Sequence, residues 1–211
     1  MEDIVFGIRP VLEAIEAGRA IEKIYFRKGA EGQLLGELRE ICRSRRLAMQ
    51  EVPVEKLNRL TRGNHQGVVA RIAAVEYADL NEVLAAVPEG GVPLVVVFDA
   101  VTDVRNFGAI ARSAECAGAH ALVVPVKNMA PVNAEAVKSS AGALSRIPVC
   151  RVGSIRNTLM ALRNGGLKIV AATEKSDTLL FGADLTGPVA IVMGSEDTGI
   201  SCLLYTSPSP R

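Results

Sequence analysis

The chain has 211 residues, 49% hydrophobic and 22% charged, a composition that suits a soluble globular protein and excludes a disordered or collagen-like chain. Its longest apolar run, Val92 to Phe98, is far short of the roughly 18 residues a membrane-spanning helix needs, and the opening MEDIVFGIRP carries acids where a signal peptide carries bases, so a cytoplasmic location and no membrane partner are expected. The net charge of +1 divides unevenly, with +3 on residues 1–75 and −2 on the rest, which places any surface for a polyanion at the front.

Apolar periodicity predicts, in chain order, a helix over 8–17, a strand over 21–26, a helix over 34–45, a strand over 48–52, a short helix over 54–60 and a strand over 67–73. Helices alternating with strands in so short a stretch make a small three-layer α/β module. Arg43, Arg45 and Arg46 cluster at the end of its second helix, and Arg59, Arg62, Asn64 and His65 surround the turn before GVVARI. Arginine forks suit phosphate, so Arg43, Arg45, Arg46, Arg62 and His65 are candidate phosphate contacts. The competing reading is a solvated face with bases at helix ends for dipole reasons, and a histidine that only orders its loop.

Residues 76–90 read as a linker with one helical piece after Asp79, a candidate N-cap, closed by the breaker cluster PEGGVP. Beyond it the pattern is clearer. Strands over 93–99, 121–126, 148–152, 168–173 and 188–193 alternate with helices over 106–117, 133–144 and 155–164. The Val-rich first strand is of the kind covered on both faces, and the spacing predicts a parallel sheet with functional loops at the strands' C-terminal ends. The fold class is therefore α/β, with domains at 1–75 and 91–201 and a tail at 202–211. Cys42, Cys116, Cys150 and Cys202 are scattered without a CxxC pair, which points to buried reduced thiols and to no metal site.

Two loops carry the chemistry. In VTDVRNFG, after the first strand of the second domain, Asn106 is a natural N-cap, and Gly108 leaves an open patch of backbone beside Arg112 one turn on. In GSEDTGI, after the last strand, the G-x-x-x-x-G spacing is that of a P-loop, but Ile200 and Ser201 stand where Lys and Ser/Thr are required. No G-x-G-x-x-G follows any strand, which argues against a dinucleotide site.

Together DVRNFGAIARSAECAG, with Asn106, Gly108 and Arg112 in an N-x-G-x-x-x-R pattern, AVKSSAGAL and IVMGSEDTG resemble the SpoU–TrmH branch of the SPOUT RNA methyltransferases. At the front, VFGIRPVLEAI and NHQGVVARI are similar to the L30e-like substrate-binding domain that precedes the catalytic domain in ribosomal RNA guanosine 2′-O-ribose methyltransferases of this family. The resemblance spans residues 4–201 and implies a knotted catalytic domain, an exception to unthreaded topology. It implies S-adenosylmethionine held by the loops at Ala172, Thr173, Gly194, Glu196 and Gly199, with no metal. Arg112 would stand at the reacting ribose and Asn106 would orient it or the ribose. Glu196 would bond within the knot or touch the substrate. The RNA would be ribosomal, gripped by the front domain, with transfer RNA or a non-catalytic RNA-binding scaffold as alternatives. Family members are homodimers that end in a third motif closing the knot. CLLYTSPSPR has nothing of that motif and reads as non-native sequence, so this chain is expected to lack its knot-closing segment and to be impaired in cofactor binding and dimerisation.

Overall fold

A computed structural model describes residues 4–174, 176 and 178–201; the expectations for residues 202–211 lie outside the described residues. The chain divides into two units, one of residues up to Glu76 together with Pro131–Ala134, the other of Tyr77–Ala130 and residues from Glu135 onward.

The first unit runs β1 (Ile4–Phe6), α1 (Ile8–Glu16), β2 (Ile21–Arg27), α2 (Gln33–Ser44), β3 (Met49–Val52), α3 (Val54–Leu60) and β4 (Val68–Ile72). Its sheet has the order β1-β4-β2-β3, antiparallel except for the β2–β3 pair. Strand alternation sorts the side chains. Ile24, Phe26, Val68 and Ala70 turn to one face and meet Val11, Ala14 and Ile15 of α1 and Leu35, Leu38 and Cys42 of α2. Tyr25 and Val69 turn to the other and meet Leu57 of α3. The three-layer module read from periodicity is therefore present, with β1 as an additional strand too short to register as a pattern.

The second unit runs β5 (Tyr77–Ala78), α4 (Leu80–Ala85), β6 (Leu94–Phe98), α5 (Val104–Cys116), β7 (Ala121–Pro125), α6 (Ala134–Ser139), β8 (Val149–Val152), α7 (Ile155–Asn164), β9 (Lys168–Ala172) and β10 (Val189–Met193). All pairs in its sheet, β5-β8-β7-β6-β10-β9, are parallel. Residues 76–90 are more than a linker. Tyr77 and Ala78 pair with β8, and Asp79 caps α4 by accepting the Asn81 and Glu82 amides at 2.8 and 3.2 Å. Val95, Val97, Val123 and Ala190 face Leu159 and Leu162 of α7, while Phe98, on the opposite side, meets Phe107 of α5 edge-on at 5.0 Å between ring centres.

Three local expectations are corrected. The helix read as starting at Asn106 starts at Val104, because Asp103 accepts the Arg105 and Asn106 amides at 2.9 and 2.8 Å and its carboxylate suits the positive helix end. The helix expected over 133–144 stops at Ser139, where Ala141 and Gly142 take φ of 50° and 83°, beyond what an α-helix tolerates. Gly108 does not border open backbone. It is buried, and a Cβ there would lie 1.9 Å from Ser139 Oγ and 2.9 Å from the Ser139 carbonyl carbon, so glycine is what lets α5 and the end of α6 touch. Gly108→Ala is expected to cost about 1–3 kcal/mol of stability, the usual range for overpacking, as read by denaturant unfolding; an unchanged midpoint would contradict the contact.

Cys42 and Cys150 are buried as expected, and burial pushes both thiols up to about 11, with the Asp79 carboxylate adding to the effect at Cys150. Cys116 corrects the expectation, since it stands exposed at the end of α5. A brief iodoacetamide pulse at neutral pH is expected to alkylate Cys116 and leave Cys42 and Cys150 unmodified until the fold is opened, as mapped by mass spectrometry.

Candidate functional site

In an open parallel sheet, ligands collect outside the C-terminal ends of the strands. Here β6 and β10 are neighbours: the chain goes on from β6 to β7 and β8, and it reaches β10 from β9 on the other side. The register Leu94↔Val189 to Phe98↔Met193, extended by the Asp99 amide donating to the Met193 carbonyl at 2.8 Å, sets the loop at 99–103 beside the loop at 194–201.

The second loop is closed on itself. Ser195 and Gly199 exchange backbone hydrogen bonds of 3.0 and 2.9 Å, and Ser195 Oγ accepts the Thr198 amide at 3.1 Å. The turn passes so close to its own start that a Cβ at Gly194 would lie 2.3 Å from the Gly199 carbonyl carbon. Gly199 needs its glycine for another reason, a φ of +66°. Its exit is tied to the first loop by Asp99, 9% exposed, whose Oδ2 accepts the Ser201 amide at 2.6 Å. The sequence reading missed Asp99 as an organising residue. Its signal is an acid closing the apolar run LVVVF at the C-terminal end of a strand.

The two loops also meet through side chains. With Asp103 serving as cap, Asn106 is released to donate from Nδ2 to Glu196 Oε2 at 2.5 Å, so two of the candidate site residues are brought together across 90 positions of sequence. Arg112 is exposed farther along α5 and, among the described residues, makes no ion pair or side-chain hydrogen bond. It does not join the Asn106–Glu196 pair, because six residues turn a helix through about 600°, roughly 120° short of two whole turns. Ala172 pairs with Met193 in the sheet, which sets Ala172 and Thr173 beside Gly194 at the adjacent strand ends. Among the described residues no group of three or more His, Cys, Asp or Glu could hold a metal ion.

The candidate RNA contacts of the first unit separate into two groups. α2 carries the chain from the finish of β2 back to the level of its start, so Arg43, Arg45 and Arg46 stand at one end of the sheet. Arg62 and His65 stand at the other, where Arg27 donates its amide to the Gly67 carbonyl at 2.8 Å. The first group has structural work: Arg43 bonds Glu40, and Arg45 donates to the Ile15 carbonyl at 2.7 Å at the end of α1. His65 orders its loop, accepting the Gly67 amide at Nδ1 and bonding Asn58 Oδ1 through Nε2, both at 3.0 Å. The accepting role of Nδ1 fixes the tautomer with the proton on Nε2.

Residues 93–207 match the SpoU rRNA methylase family, and residues 4–78 match the family of RNA 2′-O ribose methyltransferase substrate-binding domains. The chain therefore belongs to the SpoU rRNA methylase family. The match reaches residue 207, inside the segment read above as non-native. An uncharacterized tRNA/rRNA methyltransferase of Mycobacterium sp. strain KMS is 35% identical over 96% of this chain, and another of Mycobacterium leprae is 34% identical over 97%. The chain spans 65% and 67% of their lengths. Among solved structures, the SpoU methyltransferase AviRb of Streptomyces viridochromogenes in complex with AdoMet superposes with a TM-score of 0.54 at 29% identity, covering 97% of this chain and 77% of AviRb. An AdoMet-bound rRNA methyltransferase of Sinorhizobium meliloti shares the fold, with a TM-score of 0.51 at 23% identity over 99% of this chain and 78% of that one.

Gly194→Ala is expected to open the loop. Its added methyl overlaps the Gly199 backbone, and at about 1–3 kcal/mol for overpacking, hydrogen exchange at the Ser195 and Gly199 amides should quicken roughly tenfold or more. Unchanged protection would show that the closure does not depend on the glycine.

Proposed function

We propose that this protein methylates a ribose 2′-hydroxyl of RNA, using S-adenosylmethionine, with a guanosine of large-subunit ribosomal RNA as the substrate. The observation that carries the reading is the Asn106–Glu196 hydrogen bond, which joins the two loops at the C-terminal ends of β6 and β10 and leaves an exposed arginine on the same helix.

The residues present suit the cofactor. The C-terminal ends of β9 and β10 finish side by side, and no atom lies within 4 Å of where a side chain on Gly199 would stand. A ligand could approach the backbone there without meeting a Cβ. Ala172, Thr173, Gly194, Glu196 and Gly199 would hold it, and AviRb, the 29%-identical relative, is known with AdoMet bound. When bound, S-adenosylmethionine supplies an electrophilic methyl group on a sulfonium sulfur.

The chain's own residues do the positioning. The Arg112 guanidinium binds the RNA backbone and stabilises the negative charge that grows on the ribose 2′-oxygen as its proton leaves to water. Asn106 holds Glu196, and through it the GSEDTG loop, in register with the helix that carries Arg112. Most of the acceleration in such a displacement comes from in-line placement, which a rigid pair of loops provides. The first unit grips RNA through phosphates and shape. The separate front unit favours ribosomal over transfer RNA, and a homodimer belongs to the same reading.

Arg112→Ala is expected to lower kcat about 10²- to 10³-fold, the range for losing one donor to a developing oxyanion, while the calorimetric affinity for S-adenosylmethionine stays within twofold. Equal loss of both would overturn the division of roles. Faster methylation of transfer RNA than of ribosomal RNA would move the substrate.

A further inference from the structure

The first unit holds one exposed aromatic ring at the end of the sheet that carries Arg62 and His65. Phe6 closes β1 opposite Val69 and is 37% exposed. The Cε2–Cζ edge of its ring lies against the loop at 61–67, for a Cβ on Gly63 would sit 2.3 and 2.4 Å from Phe6 Cε2 and Cζ. Gly63 is what allows the ring to rest there.

At the same end of the sheet are four exposed cations, Arg9, Arg27, Lys28 and Arg62, none of which makes an ion pair or side-chain hydrogen bond among the described residues. This contrasts with the opposite end of the sheet, where Arg43 and Arg45 are engaged by Glu40 and the end of α1. The loop itself is set before any ligand arrives. His65 is locked between Asn58 and the Gly67 amide, Gln66 Oε1 accepts the Ile8 amide at 3.1 Å, and Gln66 and Gly67 hold φ of 50° and 84°.

Resting on the reading of this protein as an RNA methyltransferase, we infer that Phe6 is a stacking platform for an unpaired base, and that Arg9, Arg27, Lys28 and Arg62 hold the phosphates on either side of that nucleotide. An aromatic ring among uncommitted cations suits single-stranded RNA, because every base offers a π-face and each flanking phosphate a charge. A duplex would engage the cations and leave the ring without a partner. The partner is thus the unpaired loop of a folded RNA, and Phe6 would set which nucleotides of the loop the first unit grips.

The test uses the whole chain and a hairpin RNA with 2-aminopurine replacing one loop adenine. Binding to the parent protein is expected to change the probe's fluorescence as the base stacks. Phe6→Leu, which keeps an apolar residue in β1, should weaken affinity roughly 5- to 150-fold and abolish the change. Phe6→Trp should keep both, and Gly63→Ala, which pushes the ring aside, should behave like Phe6→Leu. Unaltered affinity and signal in Phe6→Leu would overturn the platform while leaving the RNA enzyme in place. An equal loss by Phe6→Leu on a fully paired duplex would also overturn it, since it would show that the ring acts only through the fold. If the parent chain bound no hairpin, ribosomal or transfer RNA at low salt, the platform and the reading beneath it would both fall.

Discussion

The pairing of β6 with β10 is the constraint on which the rest of the site depends. Leu94–Phe98 and Val189–Met193 lie nearly a hundred residues apart, and only their parallel register sets Asp99, Asp103 and Asn106 beside the loop at 194–201. Closing so long a loop costs little more than closing one half as long, and the apolar side chains of both strands offset it. Three bonds then fasten the loops together: Asp99 backbone amide to Met193 carbonyl, Ser201 backbone amide to Asp99 carboxylate, and Asn106 side-chain Nδ2 to Glu196 carboxylate. Each crosses from the β6 side to the β10 side. A slip of one residue in the register would break all three at once, since it would turn the strands' side chains to the wrong faces.

Charge divides labour between the two units. The second unit is close to neutral and slightly acidic, a poor collector of polyanions by itself, so in the proposed function attraction of RNA falls to the first. Within the first, what matters is which cations remain uncommitted. An arginine that holds a helix end or a neighbouring carboxylate has already given its donors to the fold, and a phosphate must compete for them. The end of the sheet with Arg27 and Arg62 has donors to give.

Much of this was legible in the sequence because it rests on periodicity. The Val-rich runs, the helical stripes of α1, α2 and α7 and the cap at Asp79 follow from local patterns, and the structure reproduces them within a residue or two. The departures come where tertiary contacts decide. Asn106 looked like a cap because asparagine caps well; Asp103, three residues earlier, caps better and frees Asn106 for a partner no local pattern reveals. Gly108 looked open because glycine removes bulk, yet the space it leaves is filled by Ser139. β5 was hidden in an apparent linker because two residues carry no period. The arginines at 43, 45 and 46 looked continuous in purpose with Arg62, and only the direction of α2 places them at opposite ends of the sheet.

The central claim is that this chain places a methyl group on a ribose oxygen of RNA, and nucleoside mass spectrometry tests it most directly. Ribosomal RNA incubated with the protein and methyl-labelled S-adenosylmethionine, then digested to nucleosides, should yield labelled 2′-O-methylguanosine. Label on a base, or ribosomal RNA left unlabelled by a folded protein that binds both partners, would contradict the account.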